Sequence, residues 1–351
     1  MKNNRKPRIA FVMGDPSGIG PELTLKLLSE PDTIAAADIV VVAGRQVYGA
    51  GEKILGTSIP CPVAEKVTGE TFIDQSLVLL SEPEIDDSEY VLGHASKRSG
   101  RYQLDCLAAA LTLCCEGVVD GFCFAPLNKE AMHLAGLEHE DESGFFCEYL
   151  GHTGNFGLLN TLGNLWTSRA TSHVPHRQVS DLITREAVHD AIRILDSTLR
   201  AAGNARPRIA VAGLNPHAGD GGMFGNEEIE KIGPAVKLAQ EEGISADGPF
   251  PPDTIFLLGR DEKYDAIVTM YHDQGQIAMK LMGFDYGVTV HAGLPFPVTT
   301  SAHGSAYDIA GKNVASVNAL REAFKLACSM AARAKRVDPF IDNMERKQGR
   351  S

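Results

Sequence analysis

Short apolar runs alternate along this chain with longer segments whose apolar residues recur at helical spacing. This alternation is typical of α/β folds, in which each helix connects the end of one strand to the start of a parallel neighbour. The sequence predicts strands over residues 8–13, 38–43, 121–125, 208–212 and 266–270, with a further candidate strand over 164–170. It predicts helices that begin at Pro21 and Thr184, and helices over residues 103–118, 226–242 and 314–334.

No segment rich in proline or serine separates two halves of the chain, so we expect two lobes that share strands instead of two domains joined by a linker. The predicted fold class is α/β, with two lobes, a cleft between them and a C-terminal part that returns to the first lobe. The first lobe is expected to contain residues 1–135 and 287–351, and the second residues 136–286. At 351 residues the chain is long enough for a core in each lobe.

The composition argues against several classes of protein. A net charge of −12 disfavours a nucleic-acid partner, because phosphate backbones require clustered lysine and arginine. No stretch approaches the roughly 20 apolar residues that span a bilayer, and no signal-peptide core follows the basic N-terminus. The seven cysteines form no C-x-x-C pair and lie mostly in apolar runs, which predicts buried, reduced thiols. We therefore expect a soluble cytoplasmic protein that binds neither nucleic acid nor membrane.

Three of the eleven histidines occupy similar positions in the predicted sheet. His217 and His272 follow apolar strands, and His173 follows the candidate strand over 164–170. The carboxyl ends of parallel strands are where α/β proteins place their sites, and three neutral imidazoles suit a catalytic divalent metal. A histidine near a strand end can equally be a core residue with satisfied hydrogen bonds, so the pattern alone leaves both interpretations open.

Three charged residues near these histidines are candidates for catalysis. Lys280 follows His272 by eight residues in an apolar segment, and an apolar environment lowers the pKa of a lysine and suits it to proton transfer. The alternative is an ordinary surface lysine. Asp253 and Asp273 are carboxylates that could orient a histidine or share the metal.

Two loops rich in small residues are candidates for cofactor binding. The loop over residues 14–20 is not a G-x-G-x-x-G fingerprint, although a glycine turn before a helix can hold an anion. In the loop over 303–312, Gly304 and Ser305 allow close approach of a ligand, and Asp308 could accept hydrogen bonds from ribose hydroxyls. As a bare pattern the second loop could also be a turn with a capping aspartate.

Taken together, these segments resemble the 4-hydroxythreonine-4-phosphate dehydrogenase (PdxA) family. They occur in the family's order and cover essentially the whole chain. The matching segments are MGDPSGIGPE at residues 13–22, GHT at 151–153, TSH at 171–173, GLNPHAG at 213–219, YHDQG at 271–275 and GLPF at 293–296.

The resemblance implies a two-lobed fold like those of isocitrate and isopropylmalate dehydrogenases, and a homodimer with the active site close to the subunit interface. It implies metal ligands shared between dimer partners at His173, His217 and His272, with zinc as the expected ion and magnesium, manganese or cobalt as alternatives. It also implies substrate contacts from His152, Thr153 and Lys280.

The segment over 303–312 is similar to the adenosine loop of isopropylmalate and isocitrate dehydrogenases, in which the aspartate that matches Asp308 binds the ribose of NAD. The resemblance therefore implies an NAD-dependent, metal-dependent dehydrogenase that oxidises, and in some cases decarboxylates, a small anionic hydroxy acid. A metal lowers the pKa of the substrate hydroxyl while hydride passes to the nicotinamide.

The chain departs from the family at two substrate-binding positions. The family's asparagine falls at Thr289 and its arginine at Val298. Loss of the arginine removes a rigid fork that fits phosphate or carboxylate, so 4-hydroxythreonine 4-phosphate itself is doubtful as the substrate. A four-carbon sugar-acid phosphate is one alternative. A cyclic cis-diol acid is another, if Val298 presents an apolar wall. The alternative explanation is that another cation, Arg101 or Arg169, replaces the lost arginine.

Two other classes of function remain open on the sequence. The three histidines would also suit a metal-dependent hydrolase or aldolase that uses no nucleotide. A binding or regulatory protein could keep this fold without turnover, although retention of Lys280 and all three histidines argues against it.

Overall fold

The computed structural model describes residues 5–334 of the 351-residue chain. The first four residues of the basic N-terminus and residues 335–351 of the predicted first lobe lie outside this range. The strands are β1 (Arg8–Val12), β2 (Asp38–Val42), β3 (Val63–Ala64), β4 (Leu77–Leu80), β5 (Gly121–Phe124), β6 (Gly157–Leu162), β7 (Leu165–Arg169), β8 (Ile209–Ala212), β9 (Ala246–Phe250), β10 (Ala266–Thr269), β11 (Val288–Ala292) and β12 (Val298–Ser301). The α-helices are α1 (Gly20–Leu28), α2 (Pro31–Ala36), α3 (Arg45–Leu55), α4 (Lys97–Cys115), α5 (Lys129–Leu134), α6 (Glu142–Leu150), α7 (Val179–Leu182), α8 (Arg185–Ala202), α9 (Gly233–Glu241), α10 (Ile255–Arg260), α11 (His272–Gly283) and α12 (Asn318–Arg333).

The chain folds into two compact units. Unit 1 combines the chain up to Thr153 with the segment from Leu294 onward, and unit 2 is Gly154–Gly293. The sequence placed both boundaries earlier along the chain, after residues 135 and 286. His152 and Thr153 therefore belong to unit 1, whereas all three candidate metal-binding histidines belong to unit 2.

Unit 1 is built on parallel strands in the order β3-β4-β2-β1-β5-β12. The apolar residues of β1 and β2 are fully buried, as expected of parallel strands covered on both faces. Helix α4 packs against this sheet and begins earlier than predicted, because Ser96 caps it through a hydrogen bond to the backbone N–H of Ser99. Helix α12 lies against β1 and β12, and the rings of Phe11 and Phe324 are 6.0 Å apart. The predicted helix over 314–334 is therefore confirmed with a later start.

Unit 2 has the strand order β11-β6-β7-β10-β8-β9. Strands β7, β10, β8 and β9 are parallel, whereas β6 pairs antiparallel with both β7 and β11. The hairpin between β6 and β7 turns at Gly163, whose φ of 57° is a left-handed value that glycine adopts without strain. A largely parallel sheet was predicted. The α/β class and the candidate strand over 164–170, which is β7, are confirmed, but β6, β9 and β11 were not predicted.

The predicted helix over 226–242 is confirmed in extent, but its first part is π-helical instead of α-helical. Residues Glu228–Ile232 form a π-helical turn, and α9 begins only at Gly233. The carboxylate of Glu228 accepts hydrogen bonds of 2.7 Å from the backbone N–H groups of Leu214 and Asn215. This contact draws Glu228 towards the loop after β8, and π-turns of this kind often occur beside functional sites.

The prediction of buried, reduced cysteines is confirmed. All seven are free thiols, and six are buried. Burial raises the pKa of Cys123 and Cys328 to about 12, so these thiols stay protonated. The cytoplasmic location inferred from them stays a prediction. Within residues 5–334, every helix is too short or too polar to cross a membrane.

Candidate functional site

The three candidate metal-binding histidines of unit 2 follow neighbouring parallel strands. Strands β7, β10 and β8 lie side by side in that order, so their carboxyl ends meet at one edge of the sheet. His173 lies four residues beyond the end of β7, His272 three beyond β10 and His217 five beyond β8. The sequence therefore placed these residues at the right edge, which is where α/β sheets carry their sites.

Two of the histidines lie close together. The ring centroids of His173 and His272 are 5.2 Å apart, with the ring planes tilted by 44°. Residue 173 has a φ of 42°, an uncommon value for a residue with a side chain. Strained backbone of this kind persists where surrounding structure requires it, and it concentrates at functional sites.

A carboxylate orients one of these rings. The Nδ1 atom of His272 lies 2.7 Å from Oδ1 of Asp273. The hydrogen bond from His272 lowers the pKa of Asp273, so the carboxylate is ionised and accepts the Nδ1 proton. The lone pair then lies on Nε2, as in histidines that bind metals through Nε2 while a carboxylate holds Nδ1. The donor atoms present here therefore fit a divalent metal.

His217 lies in a loop of unusual conformation. Residues 217–222 all have positive φ angles, between 43° and 99°. Glu228 holds this loop in place through the backbone of Leu214 and Asn215, and Glu227 accepts a hydrogen bond from the side chain of Asn215. The His217 ring packs 6.4 Å from the ring of Phe224. Its backbone is thus held tightly while its side chain is exposed.

The three histidines do not form a complete metal site within the described part of one chain. Between residues 5 and 334, no three histidine, cysteine, aspartate or glutamate side chains are close enough to hold an ion. The structure brings His173 and His272 together but leaves His217 apart from them. The ligand assignment of all three therefore stays a prediction.

The other three catalytic candidates, Asp273, Lys280 and Asp253, lie in different surroundings. Asp273 contacts His272 as described, and Lys280 lies two helical turns further along α11. Lys280 is exposed, so the apolar enclosure predicted for its amine is wrong for this unit. Asp253 is exposed in the turn after β9, and within the described chain it makes no hydrogen bond or ion pair with the three histidines.

His152 and Thr153, the candidate substrate contacts, follow the C-terminus of α6 in unit 1. The helix ends at Gly151 with a φ of 61°, and the N–H of His152 donates to the carbonyl of Cys147 at 2.9 Å. The Nε2 atom of His152 is buried and has no hydrogen-bond partner among residues 5–334. A buried polar atom without a partner is costly, so a ligand that hydrogen-bonds to it would gain free energy. Thr153 is exposed beside it.

The two small-residue loops lie against each other in unit 1. The N–H of Ile19 donates to the carbonyl of Ser305 at 3.0 Å, and Gly18 is so close to Ser305 that a Cβ atom there would lie 2.6 Å from the Ser305 Cβ. The hydroxyl of Tyr307 donates to Oδ2 of Asp15 at 2.7 Å. The conformation of one loop therefore depends on the other.

The far end of the 303–312 loop is held by helix α1. The buried carboxylate of Glu22 accepts from the N–H groups of Gly311 at 3.0 Å and Asn313 at 3.4 Å. The ammonium group of Lys26 donates to the carbonyls of Asn313 and Ala315. Sequence reasoning missed Asp15, Glu22 and these contacts, although the acidic residues of the GDPSGIGPE segment were a visible signal.

The three candidate cofactor residues differ in what they can offer a ligand. Asp308 and Gly304 are exposed. Lys312 donates to the backbone carbonyl of Asp308, so the carboxylate of Asp308 takes no part in that bond. Ser305 is buried, and its hydroxyl accepts from Asn128 at 3.3 Å. Asp308 is thus the candidate best placed for a ligand, whereas Ser305 supports the loop.

We expect Asp15→Asn to make the protein more stable at neutral pH. Burial raises the pKa of Asp15 from 3.8 to about 6, despite hydrogen bonds from Tyr307 and Ser17 that act in the opposite direction. The folded state prefers the protonated carboxyl. The free energy of unfolding of the wild type therefore falls as the pH rises from about 4 to about 6. Above that range it stays lower by roughly 3 kcal/mol. Thermal unfolding between pH 5 and 8 should show the variant's advantage growing with pH.

The control for this prediction is Asp74→Asn, which changes an exposed aspartate of the same unit. Its melting temperature should track the wild type across the same pH range. An advantage of Asp15→Asn that does not change with pH would contradict the proposed ionisation.

The two departures from the family pattern lie in very different surroundings. Val298 is fully buried in the core of unit 1, where β12 pairs it with Phe122 of β5. It cannot contact a ligand, so the predicted apolar wall for the substrate is wrong. Thr289 is half-buried in unit 2 and accepts a hydrogen bond from Asn160 at 3.1 Å.

Comparison with known proteins identifies relatives over nearly the whole chain. The sequence profile of the family described as pyridoxal phosphate biosynthetic protein PdxA matches residues 35–327. A Pseudomonas aeruginosa protein, provisionally named 4-hydroxythreonine-4-phosphate dehydrogenase 2, is 49% identical over 92% of this chain and 97% of its own. The D-threonate 4-phosphate dehydrogenase of Salmonella typhimurium is 35% identical over 92% of this chain and 98% of its own.

A solved structure is similar over the same extent. The crystal structure of 4-hydroxythreonine-4-phosphate dehydrogenase from Klebsiella pneumoniae aligns with a TM-score of 0.81 and 35% identity, covering 94% of this chain and 99% of the other. All three relatives are named as dehydrogenases.

Proposed function

The chain belongs to the pyridoxal phosphate biosynthetic protein PdxA family and is an oxidoreductase acting on CH–OH groups, and on that premise we propose that it oxidises a phosphorylated hydroxy acid with NAD and a divalent metal ion. The substrate class is taken from the names of the relatives. The observation that carries the proposal is the pair formed by His173 and His272, in which Asp273 holds one ring with its Nε2 lone pair directed away from the carboxylate.

His173 and His272 would hold the metal, with His217 as a third ligand. A divalent ion bound there acts as a Lewis acid that lowers the pKa of a substrate hydroxyl. Imidazole ligands suit zinc, our first choice, and also allow cobalt or manganese; magnesium, which prefers oxygen ligands, is less well matched.

The residues of α11 divide the chemistry between them. His272 and Lys280 are eight residues apart, so they lie on the same side of the helix two turns from each other. We propose that the Lys280 amine takes the proton from the substrate hydroxyl, and that Asp273 keeps His272 in the tautomer that binds metal.

His152, whose Nε2 is buried and lacks a partner in residues 5–334, would hydrogen-bond to the substrate together with Thr153.

A second copy of the chain would complete the site. Apolar side chains are exposed on the two segments that carry His272 and His217: Leu281 is 84% and Ile277 60% exposed on α11, and Met223 is 74% exposed after the His217 loop. Large apolar residues this exposed favour a protein interface. We therefore propose a homodimer in which these segments face the partner, bringing the separated ligands together.

Asp308 is proposed to bind the ribose hydroxyls of NAD. Its carboxylate is exposed, and the loop that carries it is fixed by Glu22 and Lys26 at one end and by Asp15 at the other. NAD, when bound, accepts the hydride from the substrate carbon.

Among the substrates considered, we favour a four-carbon sugar-acid phosphate. The burial of Val298 removes the reason for expecting a cyclic diol acid, because no apolar wall is presented at that position. The replacement of the family's asparagine by Thr289 disfavours 4-hydroxythreonine 4-phosphate. The D-threonate 4-phosphate dehydrogenase among the relatives supports an acid of this kind.

The proposal is tested by following NADH formation with D-threonate 4-phosphate, 4-hydroxythreonine 4-phosphate and a cyclic cis-diol acid at a fixed zinc concentration. We expect the highest kcat/KM with the first of these. Substrate consumption without NADH would instead identify a metal-dependent hydrolase or aldolase. Mass spectrometry of the product would show whether carbon dioxide is lost.

A further inference from the structure

Arg169 is held in a fixed orientation beside the histidine pair. It is the last residue of β7, half-buried and four positions before His173. Its Nε donates to the hydroxyl of Ser172 at 2.9 Å, and its Nη1 donates to Oδ1 of Asn160 at 2.9 Å. Two acceptors on different nitrogens fix both the position and the rotation of a planar guanidinium group.

Asn160 connects this arginine to Thr289. Asn160 is 8% exposed, and the register of the sheet places it opposite Thr289 of β11 and Thr167 of β7. Its Nδ2 donates to Oγ1 of Thr289 at 3.1 Å, which leaves Oδ1 directed towards Arg169. Because Arg169 can only donate, Oδ1 of Asn160 must face it, and the Thr289 hydroxyl accepts from Nδ2 on the other side of the amide.

The same amide is also tied to the helix that carries His272. Nε2 of Gln276 donates to Oδ1 of Asn160, and Gln276 lies one helical turn after His272 and one before Lys280. Hydrogen bonds thus connect Arg169 to the two segments that carry His173 and His272, whose imidazole rings are 5.2 Å apart. A guanidinium group in this place is suited to a substrate oxyanion, because its planar fork matches phosphate and carboxylate oxygens.

We propose that Arg169 binds an oxyanion group of the substrate, with Thr289 as a positioning residue that acts through Asn160. The inference deepens the proposed function, since it assumes that the site at these strand ends is the substrate site. It also gives Thr289 a role, because the Thr289 hydroxyl accepts a hydrogen bond from Nδ2 of Asn160 at 3.1 Å.

The first test compares Arg169→Met and Arg169→Lys with Arg185→Met, a control that removes an exposed arginine from α8 in the same unit. The substrates are D-threonate 4-phosphate and unphosphorylated D-threonate. Loss of a charge-assisted contact should lower kcat/KM by about tenfold to a hundredfold for Arg169→Met, and less for Arg169→Lys, which keeps the charge without the fork.

The two substrates distinguish the two oxyanions. A fall confined to the phosphorylated acid identifies phosphate as the bound group, and an equal fall with both acids identifies the carboxylate. Both results support the proposal. Unchanged kcat/KM for both acids in Arg169→Met would overturn it. If this variant unfolds, Arg169→Lys decides the question by the same comparison.

The second test concerns Thr289. Thr289→Val keeps the shape but removes the hydroxyl, so KM for the affected acid should rise about threefold to tenfold while kcat changes little. Thr289→Ser keeps the hydroxyl and should restore the wild-type KM. A loss of kcat alone, or a failure of serine to rescue, would argue that Thr289 acts only through stability.

Equilibrium binding separates this inference from the proposed function. Calorimetry with D-threonate 4-phosphate needs no turnover and can be done on the metal-loaded protein without NAD. If the wild type oxidises none of the acids but binds this one in an Arg169-dependent manner, the proposed function fails and the inference stands. If the wild type turns the acid over and Arg169→Met binds it equally well, the inference fails and the function stands.

Discussion

Replacing His272 by alanine is expected to abolish both metal binding and turnover. The variant loses an imidazole that Asp273 orients at 2.7 Å and that lies 5.2 Å from His173. Because a metal contributes several kcal/mol to the stabilisation of developing charge, its loss should lower kcat/KM by roughly a thousandfold or more. Metal content after dialysis, measured by elemental analysis beside the NADH assay, checks the two effects together.

Two further changes make this result specific. Asp273→Asn keeps all imidazoles but removes the charge that orients His272, and loss of such a partner typically costs about tenfold to a hundredfold. His176→Ala is the matched control, because this ring packs 4.9 Å from that of Tyr271 near the same edge without being a predicted ligand. The metal assignment is wrong if His272→Ala or His217→Ala retains stoichiometric metal.

Replacing Asp308 by alanine is expected to weaken NAD binding by about tenfold to a hundredfold, the usual contribution of hydrogen bonds to a charged group. The wild type should prefer NAD to NADP, because this carboxylate repels a 2′-phosphate and accepts ribose hydroxyls. The preference should shrink in the variant. Dissociation constants for both cofactors, measured by calorimetry, check the prediction without requiring turnover.

The control for Asp308 is Lys312→Met. The Lys312 ammonium group donates to the backbone carbonyl of Asp308, so this change disturbs the loop and leaves the carboxylate in place. NAD binding should stay within about threefold of the wild type if the carboxylate is what matters. Equal affinities for NAD and NADP in the wild type would remove Asp308 from this role.

Local sequence patterns were sufficient to predict the strands that form the middle of each sheet. The residues of β1, β2 and β10 are continuous apolar runs, because both faces of a covered parallel strand are buried. Strand β6 was missed because the polar residues Asn160 and Thr161 interrupt its apolar pattern, whereas its hairpin partner β7 coincides with the candidate strand over 164–170. A glycine–asparagine turn signal at residues 163–164 was nevertheless present.

The helices were predicted well where their caps are local. Thr184 accepts a hydrogen bond from the N–H of Ala187, and α8 ends at Gly203 as the sequence indicated. The π-turn at Glu228 could not be predicted, because its cause is a pair of hydrogen bonds to backbone 13 and 14 residues away.

The sequence predicted correctly that the candidate histidines follow strand ends, but it could not show the environments of the candidate residues. The burial of Val298 depends on pairing with β5, whose residue Phe122 is far away along the chain. The bond between Asp15 and Tyr307 joins residues 292 positions apart, and that between Asn160 and Thr289 joins residues 129 apart. Such contacts decide which candidate can meet a ligand, and no local pattern encodes them.

The interrupted path of the chain through unit 1 has a consequence for biosynthesis. Strand β5 leaves the ribosome well before β12, its neighbour in the sheet, because residues 125–297 are translated in between. At about 5–20 residues per second this delay is roughly 10–35 s. During that interval the outer edge of β5 has unpaired backbone groups that another nascent chain could add to. In unit 2 the longest interval of this kind is shorter, because only residues 163–287 are translated between β6 and its neighbour β11.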